Sequence, residues 1–418
     1  MLSPRQRRPE RRPAIILGMS ANGLAVARSL GRKGIPVIGV GACPTEPGLY
    51  CRFLRAKHIA PDVQDEQEFL EFLISLAKGL ADRGVLFLTA DEYVLFCSRY
   101  REELSTSYDF NLPSHDVIEC FLDKEKTFQF ASRNNIPHPV TKAVTSETAL
   151  KRLAFEMEYP CILKPRDAHL WRLESREQKL LVIHSPEALL QTYRDLGHHA
   201  QRVLLQQIIP GPDDHIYQYL AYCNKESEII AEFCCQKLRQ YPPHFGIACL
   251  CESRYEPRVV EQGRFLLSKI EPKGIFALEY KLDEKTDEPV FLEANLRTSF
   301  FGELPISAGV DFPYIMYRHL VDGYNGLYRR KFQEGIRLWN IDLDLGCYLR
   351  RREKGETNFY EWLKKLKAER IAHTYLAWDD LRPWTVVYAR FPGKAIKRIF
   401  RQIIGDKERN KASKSRTA

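Results

Sequence analysis

The folded part of the chain opens with apolar runs rather than with alternation. Residues 14–18, AIILG, are wholly apolar and end in glycine, which predicts a strand buried on both faces of a parallel sheet. A loop and an amphipathic helix follow, with Leu24, Ala27, Arg28 and Leu30 near helical spacing and Gly31 and Gly34 at the end. IPVIGV (35–40) is the next strand, so this stretch forms a βαβ unit. Residues 65–80 carry a second helical pattern, and VLFLT (85–89) is a third apolar strand running into Ala90-Asp91-Glu92. Asp91 fits either a ligand contact at the carboxyl end of a parallel strand or a cap for the next helix. The loop from Gly18 to Gly23 is not GxGxxG, and Val40, Gly41 and Ala42 stand where a ribose-binding acid would be sought. A nicotinamide cofactor is therefore not expected, while Asn22 is a candidate contact on the substrate side.

The character changes after Leu112. Asp123 suits the N-cap of a helix starting at Lys124, which Pro137 and Pro139 bring to an end. Tyr159 to Lys164 is an apolar strand whose last residue is held extended by Pro165. A lysine among Cys161, Ile162 and Leu163 is costly to bury unless it meets an anion. VLLQQIIPG (203–211) is a strand entering a turn, followed by Asp213 and Asp214. Strands at 217–223 and 228–237, a loop rich in proline and aromatics at 238–246 and a helix at 256–270 complete this stretch.

Clean alternation appears at 274–299. Two strands are predicted, joined by the acidic turn 283–289. In the second, Val290, Leu292, Ala294 and Leu296 share an apolar face, and Phe291, Glu293, Asn295 and Arg297 share the other. The first strand adds Glu279. Two carboxylates, an amide oxygen and a guanidinium on one face suit magnesium beside a phosphoryl or carboxylate group, although a solvated hairpin face would look the same.

Composition narrows the class. The chain has 418 residues, enough for two or three domains, and 44% hydrophobic content with 22 Phe and 20 Tyr marks it as globular. The net charge of +9 sits at the ends. Residues 1–13 carry about +4 and residues 394–418 about +7, leaving about −2 for the body. A nucleic-acid binder would carry its basic stripe on the fold, so no nucleic-acid partner is expected. Eleven scattered cysteines without a C-x₂-C spacing argue against zinc and fit the reducing cytoplasm as free thiols. No apolar run reaches the ~18–20 residues of a membrane span.

Asp-Lys at a helix start, a strand ending in Leu-Lys-Pro, the run Gln206 to Asp213, a distal Glu279 and Glu293-x-Asn295-x-Arg297 come in one order, and in that order the chain resembles the ATP-grasp superfamily over about residues 14–325. Biotin carboxylase and carbamoyl-phosphate synthetase share this plan, and the D-aspartate ligase-like branch is the most similar in its opening, its Ile-Pro-Gly-x-Asp turn and its Glu-x-Asn-x-Arg end. The resemblance implies an α/β fold: an N-terminal Rossmann-like parallel sheet (14–112), a two-part α+β ATP-grasp region (113–325) and an appended C-terminal element (326–393). Residues 1–13 are then a basic disordered arm, and 394–418 a basic amphipathic helix with a disordered tail.

Position by position, the resemblance implies that Lys124 and Lys164 hold the phosphates of ATP. Gln206, Gln207 and Ile209 would read adenine, and Asp213 would take the ribose hydroxyls. Glu279, Glu293 and Asn295 would hold Mg²⁺, with Mn²⁺ an alternative. Arg297 would steady a carboxylate or its phosphorylated form, and Lys237 and Arg239 would add phosphate contacts. The segment 166–171 lacks the usual glycine-rich phosphate-covering loop. The implied activity is an ATP-dependent ligase joining a small-molecule carboxylate to an amine, in the cytoplasm, with a homodimer as the default assembly. Competing expectations are a Rossmann-type oxidoreductase and an ATP-binding regulator without turnover. The spacing of residues 394–405 suits a helix docked on the body or lying on an anionic membrane surface.

Overall fold

The computed structural model describes residues 11–144, 146–165, 180–197, 203–326 and 332–389. Residues 166–171 and the amphipathic stretch 394–405 therefore lie outside the described residues. Three sheets organise the chain. The first contains β1 (Ala14–Leu17), β2 (Val37–Gly41), β3 (Leu54–Ile59), β4 (Gly84–Leu88) and β5 (Tyr108–Asp109), in the order β3-β2-β1-β4-β5, all parallel. β1, β2 and β4 are buried throughout, as their unbroken apolar runs require. β3 is not among the strands expected from the sequence. Its residues LRAKHI alternate half-buried and exposed positions, as an edge strand does. The turn from β1 into the helix Ala21–Arg32 needs its glycines: Gly18 has φ +87°, and a Cβ on Gly23 would sit 2.1 Å from the Gly18 carbonyl oxygen.

The second sheet is antiparallel: β6 (Thr141–Ala143), β7 (Cys161–Pro165), β8 (Leu181–Ile183) and β9 (Val203–Gln207), in the order β6-β9-β7-β8. The helices Glu147–Glu156 and Pro186–Asp195 pack on it through Leu150, Leu153, Leu189 and Tyr193. Ser146 and Ser185 cap them, each accepting from the backbone N–H three residues on.

The third sheet has seven strands: β10 (Ile216–Cys223), β11 (Ile229–Tyr241), β12 (Ile247–Ser253), β13 (Gly274–Leu282), β14 (Pro289–Asn295), β15 (Ile336–Trp339) and β16 (Arg370–His373). Their order across the sheet is β14-β13-β10-β11-β12-β15-β16. β11 runs on to Tyr241, so Lys237 lies in a strand as expected, Arg239 lies in the same strand and not in a loop, and only 242–246 form the turn to β12. Cys234 and Cys235 fall in different core clusters, as adjacent strand residues should, and all eleven cysteines are free thiols.

The β13–β14 hairpin is present, but its alternation breaks once. Glu279 pairs with Glu293 and Tyr280 with Phe291, so Leu292 is an unpaired extra residue. The bulge turns Phe291 into the core at 0% exposure and leaves Leu292 half-buried, reversing the faces expected for these two residues. In the segment after residue 325, strands β15 and β16 extend the large sheet from the edge of β12, and the helix Ile341–Glu353 follows β15 directly. Among the described residues no helix is long and apolar enough to cross a membrane.

Candidate active site

The small sheet contributes its lysine from the end of β7. Lys164 Nζ donates to Gln206 Oε1 at 2.8 Å, and Gln206 Nε2 donates to Thr141 Oγ1 at 2.8 Å. The ammonium also lies 5.2 Å from the centre of the Phe128 ring. Burial, then the nearby charge of Lys124, brings the Lys164 pKa down to about 7, against an opposing pull from Glu293. Lys124 opens the helix Lys124–Arg133, whose N-cap Asp123 accepts from the backbone of Glu125 at 2.8 Å and Lys126 at 3.2 Å. Lys164 on the small sheet thus feels the charges of Glu293 on the large sheet and of Lys124 at the start of its helix.

The strand end beyond Gln206 is pinned. Gln207 Oε1 accepts from Val140 N at 3.2 Å, and Lys281 Nζ donates to the carbonyls of Ile209 at 2.8 Å and Gly211 at 2.6 Å. Asp213 is buried and already engaged. It accepts from His244 Nδ1 at 3.2 Å and from Arg351 Nη2 at 2.7 Å. Burial pushes its carboxyl up, but hydrogen bonds with His244 and Gln240, and the charges of His244 and Arg351, outweigh that and hold it down at about 2. Neither partner carries a sequence signal: His244 sits in a tight turn, and Arg351 arrives from the appended helix.

On the large sheet, Glu279 stands opposite Glu293 on one side and Gln218 on the other. Lys237 Nζ lies 2.6 Å from Glu279 Oε2. Burial works against the charge on Lys237, but the charge and hydrogen bond of Glu279, with smaller contributions from Cys251 and Glu293, more than offset it, so its pKa is raised. Glu293 is exposed and has no hydrogen-bond or ion-pair partner among the described residues. Asn295 Oδ1 accepts from Arg297 Nη2 at 3.0 Å, and Arg297 Nε donates to Asp91 Oδ1 at 2.8 Å. Asp91 is the first residue of the helix Asp91–Arg99, with Ala90 at the cap position, and its carboxylate goes to Arg297 instead of capping the helix.

Two expected contacts are placed elsewhere. Arg239 is buried and bidentate to Asp344, Nε to Oδ1 at 2.6 Å and Nη2 to Oδ2 at 2.7 Å, with Nη1 on the Trp362 carbonyl at 2.9 Å. It ties β11 to the appended segment and is not aimed at a phosphate. Asn22 Nδ2 donates to the carbonyls of Thr89 at 2.9 Å and Thr298 at 3.0 Å, which consumes both amide hydrogens in holding the first sheet against the end of the hairpin.

The donor set suits a hard divalent cation. Among the described residues no cluster of three His, Cys, Asp or Glu gathers, so the candidate is the all-oxygen set of Glu279, Glu293 and Asn295. Like charges directly opposite on neighbouring strands are unfavourable unless a cation is shared between them. Lys237 meets only one of the two carboxylates, and that leaves Glu293 open to a metal.

No protein-family model matches the sequence, and no curated protein does. The fold does match solved structures. An L-amino acid ligase from Bacillus licheniformis superposes with a TM-score of 0.59 at 14% identity, covering 75% of each chain. The biotin carboxylase domain of a 2-oxoglutarate carboxylase from Hydrogenobacter thermophilus, in complex with MgADP, ADP and bicarbonate, gives 0.61 at 16%, covering 79% of this chain and 74% of that one. The N5-carboxyaminoimidazole ribonucleotide synthetase from Thermus thermophilus gives 0.59 at 17%, covering 78% and 81%.

Proposed function

We propose that this chain, which has the ATP-grasp fold, is an ATP-dependent ligase that activates a carboxylate as an acyl phosphate and joins it to an amine. The observation that supports this best is the meeting of three lysines with two opposed carboxylates: Lys124 from the start of its helix, Lys164 from the small sheet and Lys237 from the large one, with Glu279 and Glu293 among them. Such a set balances a polyphosphate and its metal. With phosphate and metal held in this way, the chemistry leaves no need for a nucleophilic side chain.

In the proposed reaction a carboxylate oxygen of the substrate attacks the γ-phosphorus of ATP. The bond from γ-phosphorus to the β,γ-bridging oxygen breaks, and ADP leaves. Lys124 and Lys164 hold the phosphate oxygens, and Lys164 gains its full charge as they approach. Arg297, aimed by Asp91 and Asn295, holds the carboxylate in line. The amine then attacks the acyl carbon, the carbon–oxygen bond to phosphate breaks, and the nitrogen gives up a proton. Glu279, Glu293 and Asn295 would hold magnesium, which when bound neutralises charge on the β- and γ-phosphates. Gln207 to Ile209 present backbone groups to adenine, because the Gln206 amide is taken by Lys164 and Thr141.

The test is ADP release over a panel of carboxylates paired with amines, with hydroxylamine as a trap for the acyl phosphate. ADP and an acyl hydroxamate that appear together only with a carboxylate present support the proposal. ATP binding with no ADP release from any pair would leave a binding protein instead.

A further inference from the structure

The appended segment encloses a cavity of about 240 Å³ against β11, lined by Arg239, Tyr348, Arg351, Thr357, Trp362 and Lys365 among others. Its cations differ in how far they are satisfied. Arg239 is neutralised by Asp344 in a bidentate pair. Arg351 gives one Nη nitrogen to Asp213, but its Nε is buried without a hydrogen bond, the carboxylate of Glu356 standing 3.9 Å away. Lys365 reaches Asp214 at 3.2 Å, with two further hydrogens on its ammonium. Glu361 also lines the cavity, and its carboxylate closes the capping box with Asn358. Tyr348 and Trp362, with ring centroids 5.1 Å apart, supply an apolar wall.

We propose that this cavity is a second ligand site, separate from the nucleotide's, for a small organic anion with a flat apolar body. The oxyanion would take Arg351 Nε and Lys365, and the flat body would lie against Trp362 and Tyr348. Arg351 Nε has an ion-pair contact with Glu356, which also lines the cavity, but no hydrogen bond; a buried guanidinium nitrogen is costly to leave so, and a carboxylate or phosphoryl oxygen within hydrogen-bond reach is the partner it lacks. The volume is below the usual range for drug-sized ligands and fits a single ring bearing one acidic group. Arg351 and Lys365 also hold Asp213 and Asp214, so an anion drawing on both cations loosens their grip on those acids. Binding there is therefore linked to the state of Asp213.

Ligand-observed saturation-transfer NMR on the full chain tests this, with benzoate and phenyl phosphate as probes and benzylamine as the cationic counterpart. The expected result is saturable transfer to both anions and none to benzylamine. Arg351→Gln and Thr357→Trp, the second filling the cavity without touching a charge, should each weaken anion binding at least tenfold, with folding checked by thermal unfolding. Benzylamine binding as well as the anions, or anion binding unchanged in the folded Thr357→Trp protein, would overturn the proposal. Complete displacement of phenyl phosphate by MgADP would also overturn it, by making the cavity part of the nucleotide site. None of these arms measures ligase turnover, so failure here and failure of the proposed activity remain distinguishable.

Discussion

Glu279 and Glu293 stand directly opposite each other across the β13–β14 ladder, and among the described residues only Glu279 has a lysine to neutralise it. Such an arrangement is unfavourable to the fold by ~0.2–1 kcal/mol in the absence of a shared cation. Glu293→Gln should therefore leave stability in urea unchanged or slightly raised, while ADP release falls by ~10²–10³-fold. Added magnesium should protect the wild type against unfolding more than it protects the variant. A variant with normal turnover would remove Glu293 from the metal site.

Lys164, brought down to about 7, titrates near neutrality before any nucleotide arrives. Between that value and the ordinary lysine range the unfolded chain binds the extra proton, so wild-type stability should rise with pH from 7 towards 10. Lys164→Met should flatten this slope and stabilise the protein by ~1–2 kcal/mol at pH 7, since a buried charge is removed. Phosphates should restore the proton. Calorimetry at pH 8 in buffers of different ionisation enthalpy should show proton uptake on MgADP binding to the wild type and none in the variant.

Asp213, held at about 2 against the push of burial, contributes stability that is fully present above the ordinary carboxyl range and lost as pH falls through its own value. Asp213→Asn should cost ~1–2 kcal/mol in urea at pH 6, a difference that shrinks between pH 4 and pH 2. Arg351→Gln should shrink it above pH 4 by removing one of the charges responsible.

Arg28 and Asp380 form an ion pair in which both side chains are wholly buried. Asp380→Ala should cost ~3–5 kcal/mol, because it strands a guanidinium in the interior. The double replacement Arg28→Met with Asp380→Leu should recover most of the loss in the same denaturation experiment. A single variant that loses less than ~1 kcal/mol would show that water reaches Arg28.

Most elements were legible where local pattern decides them. The apolar runs of β1, β2 and β4, the Asp123 cap and the β13–β14 hairpin follow from spacing alone. Failures came where the deciding partner is far away in sequence. β3 hides because an edge strand keeps one face wet, and the Phe291–Leu292 inversion depends on a bulge that no alternation can announce. Arg239 looked like a phosphate ligand because Asp344, 105 residues on, carries no motif. The same distance conceals the grip of Arg351 on Asp213 and the docking of β15 on β12. By contrast, Asp91 and Arg297 were each singled out separately, and the fold brings them to 2.8 Å.

The buried pairing of Arg28 with Asp380 also sets an order of events during synthesis. The two residues are 352 positions apart, so at ~5–20 residues per second the ribosome needs ~20–70 s after making Arg28 to supply its counter-ion. Through that interval the first sheet can assemble but cannot seal its guanidinium away from water. Completion of the amino-terminal layer is therefore a late event on the ribosome, and a nascent chain stalled before residue 380 should remain open to protease at the helix Ala21–Arg32.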